Sequence, residues 1–449
     1  MKKRKYSKKY VKFVKKSIKL YKVILPCAFV SLLVLGLLVS LIIPLRPKFS
    51  EKEKRQLASF PSFSFAALFD GSFFRGIDSW FSDTFPFREG MISANEKLEE
   101  MRGFGDRIYG LNNEVVDIPI APPKSDASNE SATAEPTTEE EKEPTVPDQL
   151  DEVTQNLSNI TIVGNTGYSY WYFNQSVADK YAKTVNKTAQ KLAGKSKVYT
   201  MLVPTSMDIT MSDALRAKMN SGDQKKGMEY IFSSLSSDVA AVDIYKPLRL
   251  HRDEYLYYRT DHHWTALGAY YAYEEFAAVK GVKPIALSKF EKKSFGEFLG
   301  SYYTNSNSSA LKKDPDELIA YMPPYKTTLR YTTPDGTVVD WFLVNDVSSY
   351  PVSQKYSAFA GADNPYTVIE NKSREKGKTC VIIKESFGNA VIPYIVNNYK
   401  KVYVVDYRYY KQGFVSLAKK VKASDVIFIN NMSAVCTESL VNRMDAIAV

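Results

Sequence analysis

A chain of 449 residues, 44% of them hydrophobic, has enough apolar material for one large domain with appendages or for about two or three domains. Its formal net charge of +10 would point to a polyanionic partner, but eleven of the 60 Lys and Arg fall in residues 1–22, a stretch without an acid, leaving 49 basic residues against 50 acidic ones elsewhere. That balance excludes a basic nucleic-acid-binding body, and only three cysteines, Cys27, Cys380 and Cys436, exclude a disulfide framework.

The basic tail 1–22 runs directly into VILPCAFVSLLVLGLLVSLIIPL, residues 23–45, which carries no charge. About 20 apolar residues cross a bilayer core, so a transmembrane helix is expected. A cleaved signal peptide would have a shorter apolar region and a small-residue cleavage site, and neither is found here. The Lys/Arg excess on the N-terminal side puts the tail in the cytoplasm and everything after Arg46 outside. The expected location is the cell membrane, single-pass, with any chemistry extracytoplasmic.

Residues 46–120 mix polar runs with aromatic patches such as FPSFSFAALFDGSFF and IDSWFSDTFPFREG. They read as short helices and turns forming an N-terminal arm that packs on a larger domain. Residues 121–155 are acidic, rich in Pro, Ser, Thr and Glu, and lack aromatic residues. Such a segment buries too little apolar surface to offset its ordering entropy, so a disordered linker or long surface loop is expected.

From 156 to 449 short β-branched runs alternate with helical patterns. Strands are expected at 197–204, 239–245, 378–385, 400–408 and 424–431, apolar almost throughout, as in a parallel sheet covered on both faces. Helices are expected at 176–194 and 265–281. The alternation predicts an α/β fold with a doubly wound, mainly parallel sheet, whose functional sites form at the carboxyl ends of the strands. Residues 286–377 are less regular and read as an excursion near the site. Tyr168, Tyr170 and Trp171 in GYSYWYF could stack on sugar rings but are read as core, and Cys380 in TCVII as a small buried core residue.

Two segments could carry chemistry. The first is Asp261-His262-His263-Trp264, which holds two of the three histidines. In an extended segment alternate side chains share a face, so Asp261 and His263 would point together, with His262 opposite. A carboxylate bonded to one imidazole nitrogen fixes the tautomer and leaves the other nitrogen as a general base. A pair of polar loop residues is the plain alternative; a zinc site would need further ligands, and the only other histidine is His251.

The second segment is KTCVIIKESFGNAVIPY, where a buried strand runs into Glu385, Ser386, Phe387, Gly388 and Asn389 and then a short helix. A serine on such a turn presents its hydroxyl at the sheet edge as a nucleophile. A helix N-cap is the common alternative use of serine. Pro393 belongs in a first helical turn, which would start the helix near Asn389 or Ala390 and leave Ser386 outside the cap.

With Asp261-x-His263-Trp264 and the later Ser386-Phe387-Gly388 turn together, the chain resembles the DHHW protein family. It is also similar to the wider AlgX/AlgJ-type group of SGNH-hydrolase-like O-acetyltransferases of bacterial surface polysaccharides. The resemblance runs from about Phe49 onward and includes FSEKEKRQLASFPSFSF and SDTFPFREG. It implies Ser386 as nucleophile, His263 as base and Asp261 as its orienter, with the Asp-His pair preceding the serine. Relatives often have Asp where this chain has Glu385.

Oxyanion or substrate-binding roles are assigned more loosely, to the Ser386 N–H and to Gly388, Asn389, Arg408 and Asn430, for which ordinary turn or strand-end roles stay open. His262 and Trp264 would support the triad. The resemblance implies no cofactor and no metal, a surface polysaccharide acceptor, and a membrane-bound O-acyltransferase as acetyl donor. A carbohydrate acetylesterase of the same fold and a non-catalytic scaffold for polysaccharide assembly remain alternatives.

Overall fold

The computed structural model describes residues 159–449 without a break, together with 142–149, 154–157, residue 118 and parts of 49–85. The basic tail and the apolar stretch 23–45 lie outside the described residues. Among the described residues no helix is long and apolar enough to cross a membrane. The chain divides into two compact units, Met1–Arg102 and Gly103–Val449.

In the first unit, Phe49–Ser50 and Arg55–Gln56 pair as a short antiparallel ribbon. The helix Ser72–Asp83 follows. Its rings meet the preceding segment edge-on: Trp80 contacts Phe60 at 4.9 Å and Phe73 contacts Phe63 at 5.4 Å.

The second unit is a mixed α/β fold around an eight-stranded sheet. In chain order the strands are β1 (Lys197–Val203), β2 (Val239–Val242), β3 (Thr327–Thr332), β4 (Val338–Trp341), β5 (Tyr366–Asn371), β6 (Thr379–Lys384), β7 (Lys401–Asp406) and β8 (Asp425–Asn431). Their order across the sheet is β4-β3-β5-β7-β6-β8-β1-β2. Strands β7, β6, β8, β1 and β2 are parallel, and β5, β3 and β4 extend the sheet in antiparallel fashion.

The period-2 alternation of a strand explains the two cores. Cys380 and Ile382 of β6 join Tyr199, Met201, Val402, Val404, Ile427 and Ile429 on one face. Val381 and Ile383 join Val198, Leu202, Val405, Val426 and Phe428 on the other. Helices cover both faces. On the first lie α3 (Ala266–Lys280) and α4 (Gly388–Ile395); on the second lie α1 (Gln175–Lys191), α2 (Gln224–Ser233), α5 (Phe414–Lys420) and α6 (Glu438–Ala446).

Local chemistry sets the helix ends. Helix α3 opens where Thr265 Oγ1 accepts the Gly268 N–H at 3.2 Å and closes at Gly281, whose φ of 72° is the left-handed conformation glycine adopts without strain. Helix α4 opens at Gly388, one residue before the earliest expected start, through Gly388 N–Glu385 O (3.0 Å) and Asn389 N–Ser386 O (3.1 Å). These tight first-turn bonds need no side-chain cap. Pro393 therefore sits in the second turn rather than the first, inside an eight-residue helix that is buried throughout.

The segment 286–377 is more ordered than expected. It supplies β3, β4 and β5 and a separate hairpin, Glu291–Phe298 with Asp316–Met322. Upstream, Thr154–Leu157, Ile160–Val163 and Thr166–Ser169 form a three-stranded antiparallel sheet. The acidic stretch 142–149 touches the same unit: Glu143 pairs with Arg249 at 2.5 Å, and Gln149 bonds the Tyr168 hydroxyl and the Ser212 N–H. Cys380 is buried, Cys436 is half-buried, and both are free thiols.

Candidate active site

Strand β6 is interior to the sheet, flanked by β7 and β8, and ends at Lys384. Two residues later Ser386 stands on the turn into α4, at the carboxyl edge. Its Oγ is 2.8 Å from His263 Nε2. His263 Nδ1 donates to Asp261 Oδ1 at 2.5 Å. The carboxylate thus sets the tautomer, leaving Nε2 as the lone-pair nitrogen facing the serine hydroxyl. The three side chains form one continuous hydrogen-bonded line, and each residue is at most 8% exposed.

The segment holding the acid and the imidazole is a turn, which corrects the expected extended geometry. Asp261 Oδ1 also accepts the His263 backbone N–H at 2.9 Å, the side-chain-to-backbone bond two residues on that defines an Asx turn. His262 consequently does not point opposite; its ring lies 3.8 Å from that of His263. Asp316, buried in the neighbouring hairpin, anchors the turn from behind by accepting Arg259 N (2.9 Å), Thr260 N (2.7 Å) and Thr260 Oγ1 (2.6 Å).

The remaining contacts fix each member of the line. Asp261 Oδ2 accepts Ser301 N at 2.7 Å. Tyr356 stacks on the His263 ring at 3.9 Å, 11° from parallel, and its hydroxyl donates to Ser386 O at 3.4 Å. Trp264, fully buried, donates its indole N–H to Phe387 O at 2.9 Å. Glu385 accepts Phe387 N at 3.0 Å with one oxygen and Asn431 N at 2.9 Å with the other, tying the serine turn to the end of β8.

Electrostatics favours an ionised Asp261. Burial pushes its carboxyl upward, but the charges of His263 and His262 and the bonds from His263 and Ser301 outweigh that and hold it well below the ordinary range. His262 moves the other way from its neighbour's preferred partner: burial and then the His263 charge lower it to about 4, so it is neutral at pH 7. Burial also raises the Glu385 carboxyl, against the opposing charge of Arg408 and the two backbone donors.

The looser candidates fall in different places. Arg408 is held by Asp406 (2.7 and 2.9 Å) and Asp363 (3.0 Å), in a buried cluster where Lys384 bonds the same two acids. Asn389 donates to Asp363 at 2.9 Å. The Gly388 and Asn389 N–H groups are spent on the helix start, and a Cβ at Gly388 would meet the Lys384 side chain at 2.6 Å. Asn430 accepts from Tyr181 at 3.1 Å beneath the sheet. Asp261, His262 and His263 offer ligand atoms within 4.8 Å of one another, but both His263 nitrogens and Asp261 Oδ1 serve the hydrogen-bonded line, and Asp261 Oδ2 accepts the Ser301 N–H.

Tyr356, Ser301 and Asp316 were not singled out from the sequence, and Glu385 was noted beside Ser386 but given no role. The first three come from segment 286–377 and reach the site through tertiary packing. A cavity of about 420 Å³ opens beside the line, with His262, Phe387, Tyr170 and Tyr302 among its walls. Tyr168 and Trp171 are core, at 1% and 2% exposure, whereas Tyr170 is half-buried.

Residues 53–136 and 130–405 match the family model described as DHHW protein. No curated protein shows significant similarity to the chain. Among solved structures, a DHHW family protein from Eubacterium siraeum is similar at 26% identity and a TM-score of 0.60, over 66% of this chain and 98% of that one. Bacillus cereus PatB1, solved with a sulfonyl adduct, shares the fold at 18% identity and a TM-score of 0.54, over 64% of this chain and 99% of that one. The O-acetyltransferase domain of Pseudomonas putida AlgJ aligns at 12% identity and a TM-score of 0.35, over 64% of this chain and 98% of that one.

Proposed function

The chain belongs to the DHHW protein family, and from that premise we propose that it is a serine acyltransferase that moves an acetyl group onto a cell-envelope polysaccharide. The observation that carries the reading is the line from Asp261 through His263 to Ser386 at the carboxyl end of an interior parallel strand. The sheet, with helices on both faces, supports an SGNH-hydrolase-like, doubly wound classification.

In the proposed reaction His263 Nε2 takes the Ser386 proton as Oγ attacks the acetyl carbonyl carbon, and the departing donor alkoxide recovers that proton from His263. The product is an acetyl-serine ester. A sugar hydroxyl then gives its proton to His263 Nε2 and attacks the ester carbonyl, and Ser386 regains a proton as it leaves. Asp261 stays ionised throughout and stabilises the imidazolium that forms twice. The Ser386 N–H is the proposed oxyanion donor, because the N–H groups of residues 387–389 already have acceptors.

The reading of residues 1–45 as a basic tail and a membrane span supports an extracytoplasmic site for this chemistry. Acetyl-CoA is not available there, so the proposed acetyl source is a membrane-bound O-acyltransferase partner. The test is the protein from about Phe49 onward, incubated with a chromogenic acetyl ester with and without an oligosaccharide acceptor, beside Ser386→Ala and His263→Ala. Acetyl release that both substitutions abolish supports the serine mechanism, and acetylated oligosaccharide distinguishes transfer from hydrolysis. Equal inertness of all three proteins, persisting with the membrane partner added, would refute it.

A further inference from the structure

The cavity beside Ser386 has a composition that bears on the acceptor. At about 420 Å³ it is in the size range of small-molecule sites and far larger than an acetyl group. Two of its walls, His262 and Phe387, are the chain neighbours of His263 and Ser386, so an occupant lies next to the reacting hydroxyl.

The lining is of two kinds. Tyr170 and Tyr172 supply half-buried aromatic rings in front of the deeper Tyr302 and Phe387, while Asn159 and Thr437 supply an amide and a hydroxyl group, with the buried Thr205 and Asn431 behind them. Among the described residues none of the lining is an aspartate, glutamate, lysine or arginine. His262, the lining group whose ordinary pKa is nearest neutrality, is uncharged at pH 7 for the reasons given above, and Ser301 Oγ holds its Nδ1 at 2.6 Å.

Rings and uncharged hydrogen-bonding groups together match a pyranose, which presents C–H faces and hydroxyl edges. A carboxylate entering the same space would lose hydration with no cation to receive it, and an unpaired buried charge is strongly disfavoured. Arg408 is not part of the lining, and its Nε and Nη2 are already held by Asp406 and Asp363.

We propose that this cavity is the acceptor subsite, that it takes an uncharged sugar unit of the glycan, and that it discriminates against uronic-acid units. The proposal rests on the acyl-transfer reading of Ser386, but binding can be measured without catalysis. Full-chain Ser386→Ala is titrated calorimetrically with cellotetraose, chitotetraose and tetragalacturonate. In parallel, the alkylation rate of Cys436, a free thiol in the cavity wall, is followed with Cys436→Ala as the blank.

At least one neutral tetrasaccharide is expected to bind about tenfold or more tightly than tetragalacturonate and to slow Cys436 alkylation. Tyr172→Ala is expected to weaken that binding about fivefold or more, and Thr437→Lys to bring tetragalacturonate to parity with it. The proposal is overturned if tetragalacturonate binds as well as the neutral sugars, if neither neutral sugar binds at about 10 mM, or if binding leaves Cys436 unprotected and is indifferent to Tyr172→Ala. A separate burst of acetyl release by wild type isolates the parent reading. Without a Ser386-dependent burst the acyl-transfer reading fails; with the burst but no neutral-sugar binding, only the subsite fails.

Discussion

Gly300 leaves no room for a side chain beside Asp261: a Cβ there would lie 2.2 Å from Asp261 Cβ and 2.3 Å from its Oδ2. Both contacts are far inside van der Waals distance, and Asp261 is itself held by Ser301 N and His263. Gly300→Ala must therefore displace the carboxylate that orients the base. The expected outcome is a loss of about tenfold or more in kcat, with a far smaller change in donor KM. A kinetic comparison beside a thermal melt checks it; a variant with wild-type kcat would show that the carboxylate's position is not limiting.

Asp261→Asn keeps the shape of the turn but places an amide where an acceptor is needed at His263 Nδ1. The ring is then free to take the tautomer that protonates Nε2, which cannot accept the serine proton. A fall in kcat of about 10³–10⁴-fold is expected. The assay is single-turnover acetylation of Ser386, and a fall below about tenfold would count against the orienting role.

Glu385 bridges Phe387 N and Asn431 N, so Glu385→Ala leaves two buried donors without acceptors. Each unsatisfied buried group costs about 1–3 kcal/mol, and the serine turn loses its tie to β8. Urea unfolding should show the midpoint shifted down by the corresponding amount, and kcat should fall with it. Retention of stability would mean that the Trp264–Phe387 and Tyr356–Ser386 bonds hold the turn without it.

Acid should destabilise the fold in two windows. His262 has a folded pKa of about 4 against an ordinary 6.5, so the unfolded chain binds more protons between those values and stability falls as pH drops from about 6.5 to about 4. Asp261 has a folded pKa below its unfolded one, so its contribution is present above about pH 4 and is lost below it. The His262 side chain is 41% exposed, and solvent screening reduces the first effect. Urea midpoints at pH 7 and pH 5 should differ less for His262→Asn than for wild type; equal slopes would remove His262 from this account.

The parallel half of the sheet was legible because strands buried on both faces are written as apolar runs, as in TCVIIK and VIFI. Its antiparallel extension was not. In β3 only Leu329 is buried among alternating polar residues, and such a strand resembles a loop until its partners are known. The aspartate, histidine and serine could be picked out by residue type and by their places before a helix and after a strand. Their support could not, because Gly300, Ser301 and Asp316 come from the segment with the weakest periodicity. The Asx turn at Asp261 was hidden for another reason: a D-x-H spacing fits a turn as well as a strand.

The order of strands across the sheet sets a timetable for the molecule. Strand β8, residues 425–431, is the last of the sheet to leave the ribosome, yet it is inserted between β6 and β1. Until it arrives, the half bearing Ser386 and the half beginning at Lys197 have no shared backbone bonds, and Glu385 lacks the N–H of Asn431. Such long-range closure is slow compared with local folding. The nascent chain thus carries its reactive residues long before it can align them, and the same insertion that joins the sheet finishes the bracing of its nucleophile.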